Sequence, residues 1–387
     1  MKIKSIDAWR LNRPASPTPH PKARRPGYLA SAPHAFPIAK YPEFSRVVRD
    51  IPGVVLPEIW VRVTAEDGTW GIGQGHWGDL VAPIVTRFAT LLTGRDCLAT
   101  EYLNDLMWRY SQRFGATGLA SVARSTIDQA LWDLKGKLLG VPVYSLIGGP
   151  CRDAVELYVT TDDLDWAMEL GFRAFKISNP AHYDDGLAGI NRLEEKVAKA
   201  RETVGPDAEL MLNPNMSFNV EFAGRLIERL RPYRLRWIEE PLIPADLEGH
   251  VALKKAFPTV AIATGEDHHG RHAFRQLVEQ RAADVLQPDL RWCGGLTEGL
   301  KIYAIAEAAG LATVPHAGGS VPAGIHFAYS LPESAIAEYW MPSAPGVPLK
   351  EGVLPGQPWA VNGRLKLSDA PGFGLELRED DFAPWGS

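Results

Sequence analysis

Between Asn213 and Glu338 the chain repeats one arrangement six times. A short apolar run reaches a polar side chain, a stretch with helical periodicity follows, and the next apolar run reaches its own polar side chain. The six residues are Asn213, Glu239, Glu266, Asp289, His316 and Glu338, at intervals of 22 to 27 residues. A strand, a helix and two loops fill such an interval, so the spacing puts all six at one end of consecutive parallel strands. In sheets of this kind the carboxyl ends of the strands carry the ligand site. Helix capping or a chance ion pair explains one such residue; it does not explain six in succession.

Eight strand candidates carry the rhythm: 155–160, 172–178, 209–215, 237–239, 260–266, 283–289, 312–316 and 335–340. Helices are expected at 164–170, 190–204, 219–231, 246–256, 272–281 and 296–309. Eight strands in about 190 residues suit a (β/α)8 barrel better than an open sheet, since no glycine-rich crossover fingerprint accompanies them. Between His316 and Ala335 the helical signal is weak, and the last unit is expected to be irregular.

The chain before the barrel reads differently. Residues 2–12 alternate like an edge strand. Pro14 to Pro37 holds seven prolines together with His20, Lys22, Arg24, Arg25 and His34. A loop of this length is either a solvated connection or a lid, here one that would bring cations to an anionic substrate. Strands at 54–64 and 69–73 are joined by the turn Glu66-Asp67-Gly68. The run Gly71-Ile72-Gly73-Gln74-Gly75 looks like a nucleotide-binding loop, but it follows a hairpin strand and lacks the later acidic residue such a site needs. Helical patterns follow at 79–93, 99–112 and 118–139, with Gly140 as a C-terminal stop.

With 387 residues, two domains are expected. A net charge of −5 and no basic block argue against nucleic acid as a partner. No apolar run is long enough to span a membrane or to act as a signal peptide. Three scattered cysteines, Cys97, Cys151 and Cys293, give neither a disulfide framework nor a zinc spacing, so a cytoplasmic setting is expected.

The six residues divide by chemistry. Asn213, Glu239 and Glu266 offer oxygen ligands on neighbouring strands, which suits a hard cation such as Mg²⁺ and disfavours zinc. Asp289 and His316 on adjacent strands form a pair in which the carboxylate fixes the tautomer of a general base.

The motifs WIEEPL (237–242), ATGE (263–266), VLQPDLRWCGGLTE (285–298), VPHAGGS (314–320) and PGFGLEL (371–377) resemble the mandelate racemase branch of the enolase superfamily. Within that branch LMLNPNMS (210–217), GEDHHG (265–270) and ALWDLKGKLLGVPVYSLIGG (130–149) are most similar to the L-rhamnonate dehydratase group. The resemblance implies an α/β fold: a modified (β/α)8, TIM-type barrel under an α+β capping domain. Residues 1–125 are then the cap, with a lid loop at 14–50. Residues 126–344 are the linking helix and barrel, and 345–387 a segment packing back on the cap.

The resemblance also implies metal ligands at Asn213, Glu239 and Glu266, a catalytic dyad at His316 and Asp289, and an eighth-strand acid at Glu338. The implied activity is Mg²⁺-dependent dehydration of a sugar acid, L-rhamnonate first and L-mannonate, L-lyxonate, galactonate or fuconate as alternatives. An epimerase or racemase and a catalytically silent sugar-acid-binding relative are the other readings. Arg49, His20, His34, Lys176, Asn215 and His268 are candidate substrate contacts, and a homo-oligomer is expected. Two positions depart from the family's pattern. Asn213 stands where Asp is usual, which removes a negative charge. Lys176-Ile177-Ser178 lacks the second lysine of a K-x-K motif, which favours one-base chemistry by His316.

Overall fold

The computed structural model describes residues 1–12, 20–28, 34–44 and 57–386. Strands β1 (Ile3–Leu11), β2 (Ile59–Ala65) and β3 (Trp70–Gly75) precede eight parallel strands. These are β4 (Val155–Thr160), β5 (Ala174–Ser178), β6 (Glu209–Asn213), β7 (Ile238–Glu239), β8 (Ile262–Thr264), β9 (Val285–Leu286), β10 (Ala312–Thr313) and β11 (Ile336–Trp340). Two short strands follow, β12 (Arg364–Leu365) and β13 (Phe382–Pro384).

β4 to β10 lie side by side in chain order, and β11 returns to pair with β4, so the eighth strand meets the first as barrel closure requires. Between β10 and β11 the seam is held by single bonds, such as Gly319 N–H to the Glu338 carbonyl at 2.6 Å. β12 lies antiparallel against the start of β4.

Period-two alternation sorts the barrel residues. Leu157, Val159, Phe175, Ile177, Leu210 and Leu212 face the surrounding helices. Tyr158, Ala174, Met211, Trp237, Ala263 and Val314 fill the interior. Lys176, Asn213, Glu239 and Glu338 share the parity of the interior set, so the strand pleat alone points them inward, above an apolar plug.

The strands are shorter than their apolar runs. Glu266, Asp289 and His316 do not end ladders but stand two or three residues beyond β8, β9 and β10. The cause is local. Pro288 and Pro315 precede the dyad residues and have no N–H to extend a ladder. Gly265 precedes Glu266 at φ +132°, a conformation open to glycine alone. A further correction concerns 316–335, where a regular helix spans Pro322–Ser330. It is buried on every side and therefore shows no amphipathic period.

In the cap the antiparallel sheet runs β13-β1-β2-β3. β1 is thus not an edge strand: it lies between β2 and β13, with Leu11 opposite Phe382. One sheet face packs on helices Gly78–Leu92, Thr100–Ser111 and Leu119–Leu139 through Val61, Val63, Val85, Phe88, Ile127 and Leu131. The other face carries Trp9, Trp60, Trp70 and Phe382. The expected strand at 54–64 begins at Ile59, and 54–56 lie outside the described residues.

Segment 20–28 lies over the first barrel loop. Arg25 pairs with Asp163 at 2.9 Å and Asp165 at 2.6 Å, Arg24 with Glu169 at 2.8 Å, and Lys22 with Glu351 at 2.7 Å. The expected cationic lid therefore fastens itself to the barrel with the charges that were to meet the substrate. Among the described residues no helix is long and apolar enough to cross a membrane.

Candidate active site

At the barrel mouth the six residues form one connected set. Asn213 Nδ2 donates to Glu239 Oε1 at 2.9 Å. Lys176 Nζ pairs with the same oxygen and with Glu338 Oε1 at 2.7 Å. Glu338 Oε2 lies 3.8 Å from His316 Nε2, and Glu266 Oε1 lies 3.1 Å from it. His316 Nδ1 meets Asp289 Oδ2 at 2.7 Å.

Asp289 sits in a fork. Arg291, two residues on, approaches both carboxylate oxygens, with Nε at 3.1 and 3.2 Å. Burial alone would raise the Asp289 carboxyl, but Arg291 and then His316 outweigh it and hold it well below the usual carboxylate range. The ionised carboxylate accepts the Nδ1 proton of His316, leaving Nε2 toward the mouth. The imidazole is gripped by Trp292 and Trp340, each with its ring centre 5.4 Å away.

Glu239, 1% exposed, takes four donors: Lys176 and Asn213 on Oε1, Trp237 Nε1 at 3.2 Å and Gln287 Nε2 at 2.7 Å on Oε2. Burial also acts on Glu338, yet Lys176 and His316 pull its pKa down to about 2. Lys176 is raised well above its usual value by Glu239 and Glu338 in spite of burial.

A second group of acids behaves oppositely. Burial, then Asp267 and Glu239, raises Glu240 to about 8. Burial, then Glu240 and Asp267, raises Glu266 well above the ordinary range. Crowded carboxyls with raised pKa values lack positive charge, which is the condition a divalent cation relieves.

The donor set matches that cation in its chemistry. Glu239 and Glu266 offer carboxylate oxygens, as a hard ion requires. Asn213 turns its amide nitrogen toward Glu239, because its Oδ1 accepts the Asn215 N–H at 2.8 Å. The set fits when that amide presents its oxygen instead. Among the described residues no three His, Cys, Asp or Glu form a metal-holding group.

Lys176, 1% exposed, is enclosed by its two carboxylates. His20 pairs with Glu351 at 3.4 Å, and His34 lies tilted against Tyr28 with ring centres 5.9 Å apart. His268 is buried against Phe274. Asn215, at φ +50°, bonds Asn213 through its backbone N–H at 2.8 Å and its side-chain amide at 3.5 Å. Arg49 lies outside the described residues. Sequence reasoning missed Arg291, Trp292, Trp340 and Gln287. The first two and Gln287 flank Asp289 in QPDLRWC, so their distance from the dyad was the available signal.

Comparison with known proteins gives this geometry its setting. Residues 161–381 match the model described as enolase C-terminal domain-like, and 56–148 that of the mandelate racemase/muconate lactonizing enzyme N-terminal domain. The chain belongs to the mandelate racemase/muconate lactonizing enzyme family. An L-rhamnonate dehydratase of Saccharopolyspora erythraea is 41% identical over 89% of this chain and 90% of its own. A rhamnonate dehydratase from Gibberella zeae, solved with Mg, is 34% identical with a TM-score of 0.90, over 99% of this chain and 96% of that one. A racemase from Streptomyces coelicolor with bound magnesium is 25% identical with a TM-score of 0.76, over 97% of each chain. Within the mandelate racemase/muconate lactonizing enzyme family one scaffold thus carries more than one reaction, and the side chains at the mouth decide which.

Proposed function

We propose that this chain is a Mg²⁺-dependent sugar-acid dehydratase, with L-rhamnonate as its substrate and 2-keto-3-deoxy-L-rhamnonate as product. The observation that carries the reading is the imidazole of His316, anchored to Asp289 at 2.7 Å with Nε2 among the acids of the mouth. The likeness to the S. erythraea dehydratase supports it and selects the substrate.

His316 Nε2 takes the C2 proton of the aldonate, while Asp289, itself gripped by Arg291, holds the ring at Nδ1. The 3-hydroxyl leaves as water with a proton returned by His316, and the enol becomes the 2-keto acid. Glu239, Glu266 and the Asn213 amide oxygen would hold Mg²⁺, which when bound stabilises the charge that builds on the substrate carboxylate as the proton departs. Glu338 pairs with Lys176 at 2.7 Å and lies 3.8 Å from His316 Nε2. Its role is to fix Lys176 and the imidazole. An epimerase would need a second base facing His316, and Lys176, paired and held protonated, does not serve. We also infer a cytoplasmic homo-oligomer, from the scattered free cysteines and the family's usual assemblies.

Incubation with an aldonate panel and Mg²⁺, with 2-keto acids trapped by semicarbazide, tests this. L-rhamnonate should react, and His316→Asn should lose about 10²–10⁴-fold in rate, the usual range for a general base. An unreactive panel, or an Asn variant as fast as the parent, would overturn it.

A further inference from the structure

The glycine run that does not suit a nucleotide delivers another residue to the mouth. On β3 these glycines press against helix Leu119–Leu139. A Cβ on Gly71 would stand 2.2 Å from the Ala130 carbonyl oxygen, and one on Gly73 2.0 Å from that of Thr126. Strand and helix therefore touch backbone to backbone. Gln129 fastens the corner, its Nε2 donating to the Gln74 carbonyl at 3.1 Å and to the Leu290 carbonyl, next to Asp289, at 3.3 Å. The chain then turns through Trp77 at φ +56°. Bulky residues rarely adopt that conformation, and such strain concentrates at functional sites.

The turn sets His76 against Trp292. The indole Nε1 donates to His76 Nδ1 at 3.3 Å, with ring centres 5.7 Å apart. Trp77 also packs on Trp292, at 5.1 Å, and Trp292 leads on to His316. An indole N–H can only donate, so Nδ1 carries a lone pair and His76 is neutral with its proton on Nε2. Burial, with Arg291 adding, pushes its pKa down to about 3, so this form persists at working pH. The ring is partly exposed, and among the described residues none accepts the Nε2–H.

We propose that His76 is a substrate-binding residue of this site, its fixed Nε2–H donating to a hydroxyl on the distal carbons of the sugar acid. The inference rests on the aldonate reading above. From His316 to His76 there are two ring contacts, of 5.4 and 5.7 Å, a span within reach of a six-carbon chain with C2 at the imidazole. A neutral donor binds a hydroxyl without competing for the carboxylate end, so it helps orient the substrate.

The test measures binding in the His316→Asn protein, where the expected loss of rate keeps most of the substrate intact during a titration. With Mg²⁺ present, calorimetry compares L-rhamnonate with glycerate, which has no carbon beyond C3. Adding His76→Phe should weaken L-rhamnonate about tenfold, the worth of one hydrogen bond, and leave glycerate unchanged. Adding His76→Gln, which keeps a donor, should cost less. Equal L-rhamnonate affinity, or an equal loss on glycerate, overturns the proposal while the dehydratase reading stands. If the His316→Asn protein binds no aldonate and the wild type converts none, the aldonate reading has failed and this one with it. A second readout needs no substitution at His76. In ¹⁵N-histidine-labelled protein its Nε2–H signal should move with L-rhamnonate and not with glycerate, and an unmoved signal overturns the assignment.

Discussion

Asn213→Asp is the substitution with the most to say about the metal site. The Asn213 amide has one oxygen, and the Asn215 N–H takes it at 2.8 Å, so the nitrogen faces Glu239 at 2.9 Å. An aspartate would satisfy the same N–H and still turn a second oxygen inward. Without metal that oxygen would face Glu239 in place of a donor. Two unit charges about 4 Å apart repel by about 4 kcal/mol at an effective dielectric near 20. Lys176, shared between Glu239 and Glu338, offsets part of this. A divalent ion reverses the sign. After the cost of desolvating another carboxylate, we expect a gain of about 1.5–3 kcal/mol, or roughly ten- to hundredfold tighter Mg²⁺ binding. Calorimetric titration of the two proteins reads the affinity, and thermal melts in EDTA read the repulsion. The Asp variant should melt lower without metal and gain more from adding it. Equal or weaker Mg²⁺ binding by the Asp variant would refute the reasoning.

Two other outcomes are expected. Glu240, raised from 4.5 to about 8, and Glu266, raised well above 4.5, hold protons in the folded metal-free protein that the unfolded chain releases near 4.5. Metal-free stability should therefore fall as pH rises from about 4.5 to about 8, and Mg²⁺ affinity should climb over that window as binding expels protons. A Mg²⁺ dissociation constant flat from pH 6 to 8 would contradict this. Lys176→Met should lose about 3–5 kcal/mol in metal-free denaturant melts, because it strands two buried carboxylates. A loss below about 1 kcal/mol, the scale of an exposed pair, would show that the cluster relaxes around the gap.

What the sequence disclosed, and what it withheld, follows from range. Asn213, Glu239 and Glu338 could be placed because strand pleat and βα period are local, and both survive in a linear pattern. Ladder ends were misjudged at Asp289 and His316, where apolar runs continue through Pro288 and Pro315 although the hydrogen bonding stops. Helix Pro322–Ser330 escaped because burial on all sides erases its period. The neighbour of β1 was invisible, because Phe382 is remote in sequence and no nearby residue signals the pairing. Lys22, Arg24 and Arg25 read as free cations, since their partners lie on distant loops. Arg291 stood beside Asp289 all along, but an arginine two residues from an acid has no signature until the loop curls back.

The pairing of Leu11 with Phe382 also constrains how the molecule is made. As the nascent chain emerges, β1, β2 and β3 can assemble early, but their sheet must wait for its fourth member until the intervening barrel has been translated. Until then the backbone of β1 is open on one side, a template for intermolecular strand addition. Slowing translation after β3 should lengthen that exposure and favour aggregation, whereas a chaperone covering β1 would shorten it.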